Sequence, residues 1–216
     1  MSAVARRALA TRDAAWARTL ARALGRAGVS PNAISVAGLI CAVAAAAAFV
    51  VVPRAGDRPA VAALLLAAAG IQLRLLCNLL DGMVAVEEGL KTARGDLYNE
   101  LPDRLADVVI LVGAGYSIRD LAGGPELGWA AAVVAVLTAY VRALGGSLGL
   151  TQHFAGPMAK QHRMFALTIA TLVAALESML GEPARAMRIG LAVIVAGSIV
   201  TAWRRTLRIA AEAGAR

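Results

Sequence analysis

The sequence predicts an all-α fold, an integral membrane bundle of six transmembrane helices preceded by an N-terminal interfacial amphipathic helix. Of the 216 residues, 59% are hydrophobic and only 17% are charged, and the mean hydropathy is +0.68. So little charged surface does not cover a soluble core of this size. Because a span needs about 20 apolar residues, the length allows about six crossings with short connections.

The same composition excludes several other classes of protein. A disordered chain has low hydrophobicity, and a disulfide scaffold needs more than the two cysteines found here. The formal net charge is +8, which in a membrane protein usually reports topology and contact with anionic lipid headgroups. Since the basic clusters are not interleaved with aromatic residues, we expect membrane lipids and no nucleic acid as partners.

The first element is an amphipathic helix predicted within residues 1–30. Arginines recur along this segment, and Trp16, Leu20 and Leu24 follow one another at four-residue spacing. This pattern is typical of a basic helix that lies in the interface of an anionic leaflet.

Six apolar segments follow within residues 31–210, the predicted transmembrane catalytic domain, and residues 211–216 are a predicted cytoplasmic tail. Ser30, Pro31 and Asn32 break the first helix and offer a cap for the next one. Turns rich in glycine, proline or charge separate the later segments. The predicted spans are 34–52, 60–86, 96–118, 127–150, 164–180 and 186–203.

Lysine and arginine residues outside the predicted spans gather on one side of the membrane. They are most frequent before the first span, in the connections 87–95 and 151–163, and after the last span. By the positive-inside rule, both termini and these two connections are predicted to be cytoplasmic, in a bacterial-type inner membrane.

Polar side chains interrupt the apolar pattern where the second span ends and the third begins. Asn78 and Asp81 are three residues apart, and Asn99, Asp103 and Asp107 recur every four residues, so each set shares one helix face. An ionisable group inside a span costs about 2.5–3.5 kcal/mol on insertion scales. The cluster is therefore predicted to be functional, with both faces meeting at the cytoplasmic side.

Carboxylate and amide oxygens on two facing helices suit a hard divalent cation, Mg²⁺ or Mn²⁺, that bridges phosphate oxygens. The predicted ligands are Asn78, Asp81, Asn99 and Asp103. A diphosphate is the natural substrate for such an ion. The neighbouring small residues would let a headgroup approach the backbone, and they are Gly82, Ala85 and Gly95.

These residues form one long motif that resembles a known family. The motif reads Asn78-x2-Asp81-Gly82-x2-Ala85-Val86-x8-Gly95-x3-Asn99-x3-Asp103. It is similar to the signature of the CDP-alcohol phosphotransferases, D-x2-D-G-x2-A-R-x8-G-x3-D-x3-D, with every spacing kept. Asparagine stands at two aspartate positions of the family, and Val86 stands at the arginine position. The resemblance extends along nearly the whole chain.

The resemblance implies that one or two Mg²⁺ or Mn²⁺ ions hold the diphosphate of CDP. It makes Asp81 a metal ligand, and Asp103 both a ligand and the general base that deprotonates an alcohol. It places Arg142, Lys160 and Arg163 where they face the transferred phosphate or the acceptor. The implied substrates are CDP-diacylglycerol and a small alcohol, CMP is released, and a homodimer is compatible with the family.

Two alternatives to this enzyme remain open. The substitutions at Asn78, Val86 and Asn99 favour a degenerate family member that binds a nucleotide-lipid or a partner without turnover, as a regulatory or scaffold subunit. A prenyl-diphosphate transferase also uses an Asn-x3-Asp motif, but such bundles have more spans and two separated motifs. For single residues, Asn99 has the alternative role of a helix cap, and Arg142 that of a snorkelling side chain.

The remaining candidates have structural alternatives as well. For Asp81 and Asp103 the alternative is an ion pair with Arg74 or Arg104, two charges inside the predicted spans. Asn78 has the alternative role of a hydrogen-bonding contact between helices, and Lys160 and Arg163 that of topology signals under the positive-inside rule.

Overall fold

The described part of the chain consists of α-helices and one short 3-10 turn. The structure is a computed structural model that describes residues 14–87, 93–154 and 156–215, without the side chains of residues 87, 93–96, 98 and 99. The α-helices are α1 Ala15–Arg26, α2 Pro31–Val51, α3 Asp57–Glu87, α4 Ala93–Tyr116, α5 Gly124–Ser147, α6 Lys160–Met179 and α7 Arg185–Gly214. The predicted all-α fold class is confirmed.

Each predicted span coincides with one helix, and most ends agree within a few residues. The exception is α7, which continues to Gly214, past the predicted end of the span at residue 203 and the predicted start of the tail at residue 211. Hydropathy marks only the apolar centre of a span. The hydrogen bonds within a helix continue into the polar residues that flank this centre, so a helix can extend into water beyond the membrane-spanning part. The helix is therefore longer than its apolar segment.

Four helices in the described part of the chain, α2, α3, α5 and α7, are long and apolar enough to cross a membrane. The other two long helices, α4 and α6, begin with polar residues, which lowers their hydropathy. A membrane protein is therefore supported, and the crossings of α4 and α6, with the count of six, stay predictions.

The long helices form a closed ring around one hydrophobic core. Helix α2 contacts both α3 and α4, α5 contacts α4 and α7, and α6 completes the ring between α7 and α3. Phe49, Ile71, Ile110, Leu167 and Ile194 are fully buried inside it. Because α2 lies against both α3 and α4, it holds the two polar helix ends beside each other.

Glycine allows some of these helices to approach very closely. A Cβ atom on Gly115 of α4 would lie 2.7 Å from the Gly128 Cα atom of α5, and one on Gly113 would lie 2.8 Å from the Ala46 Cα atom of α2. Small residues at such crossings are typical of helix packing in membranes, where close backbone contact replaces the hydrophobic effect as the source of stability.

Helix α1 lies against the end of α3 that carries the polar cluster. Its contact face is formed by the buried residues Ala17 and Ala21, while Trp16 and Leu20 remain exposed. Exposed apolar side chains beside the arginines agree with the predicted amphipathic helix. Its location at the membrane interface stays a prediction.

The connection between α5 and α6 is held against α7. The Met158 amide donates to Thr201 Oγ1 at 2.9 Å, and Arg205 donates to the Phe154 carbonyl oxygen at 2.7 Å. These contacts bind the connection to α7. The first residue of α6, Lys160, lies at the same end of the bundle as the polar cluster.

Candidate active site

A small cleft lies between α2, α3 and α4, near the end of α3 and the beginning of α4. Its lining consists of Ser35, Gly38, Leu39, Arg74, Asn78, Asp81, Pro102, Asp103 and Ala106. Three of the four predicted metal ligands, Asn78, Asp81 and Asp103, are thus neighbours in one cleft. The side chain of the fourth, Asn99, lies outside the described residues.

Of the two aspartates that line this cleft, Asp81 has fewer hydrogen-bond partners. It is 3% exposed, and its Oδ2 atom accepts a hydrogen bond of 2.7 Å from Ser35 Oγ on α2. Its Oδ1 atom is buried without a hydrogen-bond partner among the described residues. A buried anionic oxygen without a partner is costly, so this atom is ready to bind a cation.

Asp103, in contrast, accepts hydrogen bonds from three side chains. Arg74 donates to Oδ1 at 3.3 Å and Asn78 donates to Oδ2 at 3.0 Å, and the Lys160 ammonium also contacts Oδ2. Both carboxylate oxygens are therefore already neutralised by cations or amide donors of the same chain.

The Asn78 amide links Asp103 to Lys160. Its Nδ2 donates to Asp103, and its Oδ1 accepts from Lys160 Nζ at 2.6 Å. The amide orientation follows from these two partners, because only the oxygen accepts and only the nitrogen donates. The ammonium thus lies between a residue of α3 and a residue of α4.

A second ionic layer lies behind the cleft, centred on Asp107. Arg74 donates to one carboxylate oxygen at 2.6 Å and Arg163 donates to the other at 3.1 Å, and Arg163 also donates to Thr138 Oγ1 at 3.0 Å. The three charged side chains are each 1% exposed. Breaking such a buried pair is strongly destabilising, because it leaves an uncompensated charge.

Arg142 lies at the rim of this region. Its guanidinium donates to Glu100 of α4 at 2.5 Å and lies 5.1 Å from the centre of the Phe154 ring. It therefore presents positive charge at the same end of the bundle as Lys160. Gly82 and Ala85 are half-buried near the end of α3, and Gly95 belongs to the first turn of α4, with its surroundings outside the described residues.

The side chains of the cleft offer the type of oxygen that a divalent cation prefers, and one of these oxygens, Asp81 Oδ1, is buried without a hydrogen-bond partner among the described residues. The free Asp81 Oδ1 atom supplies a hard anionic ligand, and Asn78 and Asp103 line the same cleft, although their oxygens already accept hydrogen bonds. No group of three His, Cys, Asp or Glu side chains able to hold a metal occurs within the described part of the chain. The donor set thus has the right chemistry for Mg²⁺ or Mn²⁺ but little anionic charge.

Two contributors to the site were not assigned from the sequence. Ser35 carried no chemical pattern, and only its place near the beginning of α2 brings its hydroxyl to Asp81. Arg74 was considered only as a structural partner of Asp81 or Asp103, and in the structure it contacts Asp103 and also Asp107, which the sequence did not predict. Arg74 lies four residues before Asn78, a spacing that signals a shared helix face.

Comparison with known proteins shows what this chain is similar to. The model of the CDP-alcohol phosphatidyltransferase family matches residues 28–203. No curated protein matches the sequence significantly.

Among solved structures, the chain resembles the phosphatidylinositol phosphate synthase PgsA1 of Mycobacterium tuberculosis. The structure with CDP-DAG bound has a TM-score of 0.75 at 21% sequence identity. The match covers 91% of the present chain and 94% of the synthase chain. The complex with manganese and citrate has a TM-score of 0.74 at 20% sequence identity. That match covers 89% of the present chain and 88% of the synthase chain. At this identity the likeness establishes the fold.

Proposed function

The chain belongs to the CDP-alcohol phosphatidyltransferase family, and from this premise we propose that it transfers a phosphatidyl group from CDP-diacylglycerol to a small alcohol with release of CMP. The observation that carries the proposal is the cleft that Asp81 of α3 and Asp103 of α4, the two aspartates of the motif, both line. CDP-DAG bound to the similar synthase supports the choice of donor.

The proposed reaction is one displacement at phosphorus. The alcohol oxygen forms a bond to the phosphorus that carries the diacylglycerol, and the bond from that phosphorus to the oxygen of the departing CMP breaks. The hydroxyl proton passes to the Asp103 carboxylate, the proposed general base. Lys160 and Arg142 lie at the same end of the bundle and would stabilise the negative charge of the phosphates.

The proposed cofactor is Mg²⁺ or Mn²⁺, held by Asp81 with Asn78, Asn99 and Asp103. When bound, the ion supplies charge stabilisation of the diphosphate. Manganese in the similar synthase supports this class of ion. Arg163 is buried against Asp107, so its proposed contribution to substrate binding acts through the positive charge behind the cleft.

We further propose that the site faces the cytoplasm, as the distribution of lysine and arginine predicts. Gly82, Ala85 and Gly95 would leave room for the nucleotide. The proposal is compatible with a homodimer but does not require one.

The proposal is tested by measuring CMP release from CDP-diacylglycerol by the purified protein in detergent. The acceptors are panels of polyols, polyol phosphates and amino alcohols, each with Mn²⁺ or Mg²⁺. We expect release with at least one acceptor class, and a fall of about 100-fold or more in excess EDTA, because several kcal/mol of charge stabilisation would be lost. Turnover that persists in EDTA would contradict the metal mechanism.

The degenerate alternative is favoured by one specific feature, the two asparagines at aspartate positions of the motif. If no acceptor gives CMP release while CDP-diacylglycerol still raises the melting temperature of the protein, the chain binds its nucleotide-lipid without turnover. That result would replace the enzyme assignment.

A further inference from the structure

Among the described residues, the Lys160 ammonium is in direct contact with two residues of the motif. Lys160 Nζ lies 2.6 Å from Asn78 Oδ1 and also contacts Asp103 Oδ2. These two residues are motif positions on different helices, so the ammonium bridges α3 and α4 as a bound cation would.

Among the described residues, the arginines around the cleft are also paired with carboxylates. Arg74 and Arg163 contact Asp107, and Arg142 contacts Glu100. Among the described carboxylates around the cleft, Asp81 is the one without an ion pair. Fixed side-chain charge has therefore neutralised one of the two anionic ligands, Asp103, before any metal binds.

A divalent ion placed between Asn78 and Asp103 would meet the ammonium at close range. Repulsion between cations a few ångströms apart is strong in a partly buried site, and the neutral Asn78 amide adds attraction only through its dipole. Asp81 is different, because its buried Oδ1 atom has no partner in the described chain and its side chain lines the cleft.

We propose that the Lys160 ammonium takes the place of one divalent ion in this chain, so that the site holds a single Mg²⁺ or Mn²⁺, bound at Asp81. The inference rests on the proposed function, which requires a divalent metal but leaves one or two ions open. Lys160 then acts as a permanent positive charge whose presence does not depend on the metal concentration.

The experiment counts Mn²⁺ ions bound to the purified protein, by electron paramagnetic resonance of the free ion. We expect one Mn²⁺ per chain in the wild type and in Lys160→Arg, which keeps the charge. The double variant Asn78→Asp with Lys160→Gln restores a carboxylate and removes the ammonium, so it should bind two.

The single variant Lys160→Gln keeps a hydrogen-bond donor for Asp103 and changes the site least. It should bind Mn²⁺ about tenfold more tightly than the wild type, because one repelling charge is gone. Arg208→Gln is the matched control, since it removes an exposed arginine charge on α7 and leaves Asn78 and Asp103 unchanged. It should still bind one Mn²⁺, with an affinity close to that of the wild type.

Two Mn²⁺ ions in the wild type would overturn the inference, as would unchanged affinity in Lys160→Gln. The count is read without turnover, so the two proposals fail separately. A wild type that binds one Mn²⁺ but releases no CMP keeps the inference and refutes the enzyme. An active wild type that binds two ions does the reverse.

Discussion

Asp81 and Asp103 have opposite surroundings although they belong to the same motif. Asp103 is neutralised by Arg74, Asn78 and Lys160, whereas one Asp81 oxygen has no partner in the described structure. A carboxylate without a partner is the stronger ligand for an added cation. At the residue scale, we therefore expect Asp81 to bind a divalent metal more strongly than Asp103 does.

Replacing Asp81 with asparagine is expected to abolish transfer while the protein stays folded. The change removes the proposed anionic metal ligand but keeps the shape of the side chain and its contact with Ser35. CMP release should fall about 100-fold or more, and the melting temperature in detergent should not drop.

Asp57→Asn is the matched control for this change. It alters the same residue type at the opposite, exposed end of α3 and should keep wild-type activity. An Asp81→Asn protein with half of the wild-type rate would mean that this carboxylate is structural.

At the scale of elements, the position of α4 depends on its close crossings with its neighbours. Helix α4 carries Asp103 and Asp107, and it contacts α2 on one side and α5 on the other. Glycine lies at both crossings, at Gly113 and Gly115. Close backbone contacts therefore hold α4 against α2 and α5 at the end of α4 that is distant from the site.

Gly115→Ala is expected to destabilise the protein. Alanine favours a helix over glycine by about 1 kcal/mol, but its Cβ atom would lie 2.7 Å from the Gly128 backbone, which cannot move as a flexible side chain would. Overpacking costs about 1–3 kcal/mol, so the clash should outweigh the propensity.

The melting temperature in detergent measures this effect. Gly214→Ala is the control, because a Cβ atom there meets nothing within 4 Å, and its melting temperature should stay unchanged. A Gly115→Ala protein as stable as the wild type would show that the helices separate without cost.

At the scale of the whole molecule, the ring of helices places the candidate site at one end of the bundle. Lys160, Arg142 and the end of α3 all lie there, and α1 lies against the same end of α3. This agrees with the distribution of basic residues that predicts a cytoplasmic site.

Cysteine labelling tests the predicted sidedness. Ser147 lies exposed at the end of α5 and Asp120 lies exposed before its beginning, so the two positions should face opposite sides. With Cys41 and Cys77 replaced by alanine, Ser147→Cys should react with an impermeant maleimide only in inverted membrane vesicles. Asp120→Cys should react in intact spheroplasts. The reverse pattern would invert the topology.

The helices, and the two helix faces that carry the polar residues, could be predicted from the sequence alone. Hydropathy and turn residues suffice for this, because an apolar helix must satisfy its own backbone hydrogen bonds in a membrane. Motif spacing was equally informative, since residues three or four apart share a helix face wherever the helix lies. The family was therefore recognised before the helices were assembled.

Which charges neutralise one another depends on how the helices pack, and it could not be predicted from the sequence. Ser35, Arg74 and Lys160 come from three different helices, and their contacts with Asp81 and Asp103 depend on how α2, α3 and α6 are arranged around α4. Sequence spacing reports neighbours within one helix, whereas the strength of a charge interaction depends on distance across helices and on burial. That is why the free oxygen of Asp81 and the ammonium beside Asp103 became visible only in the folded molecule.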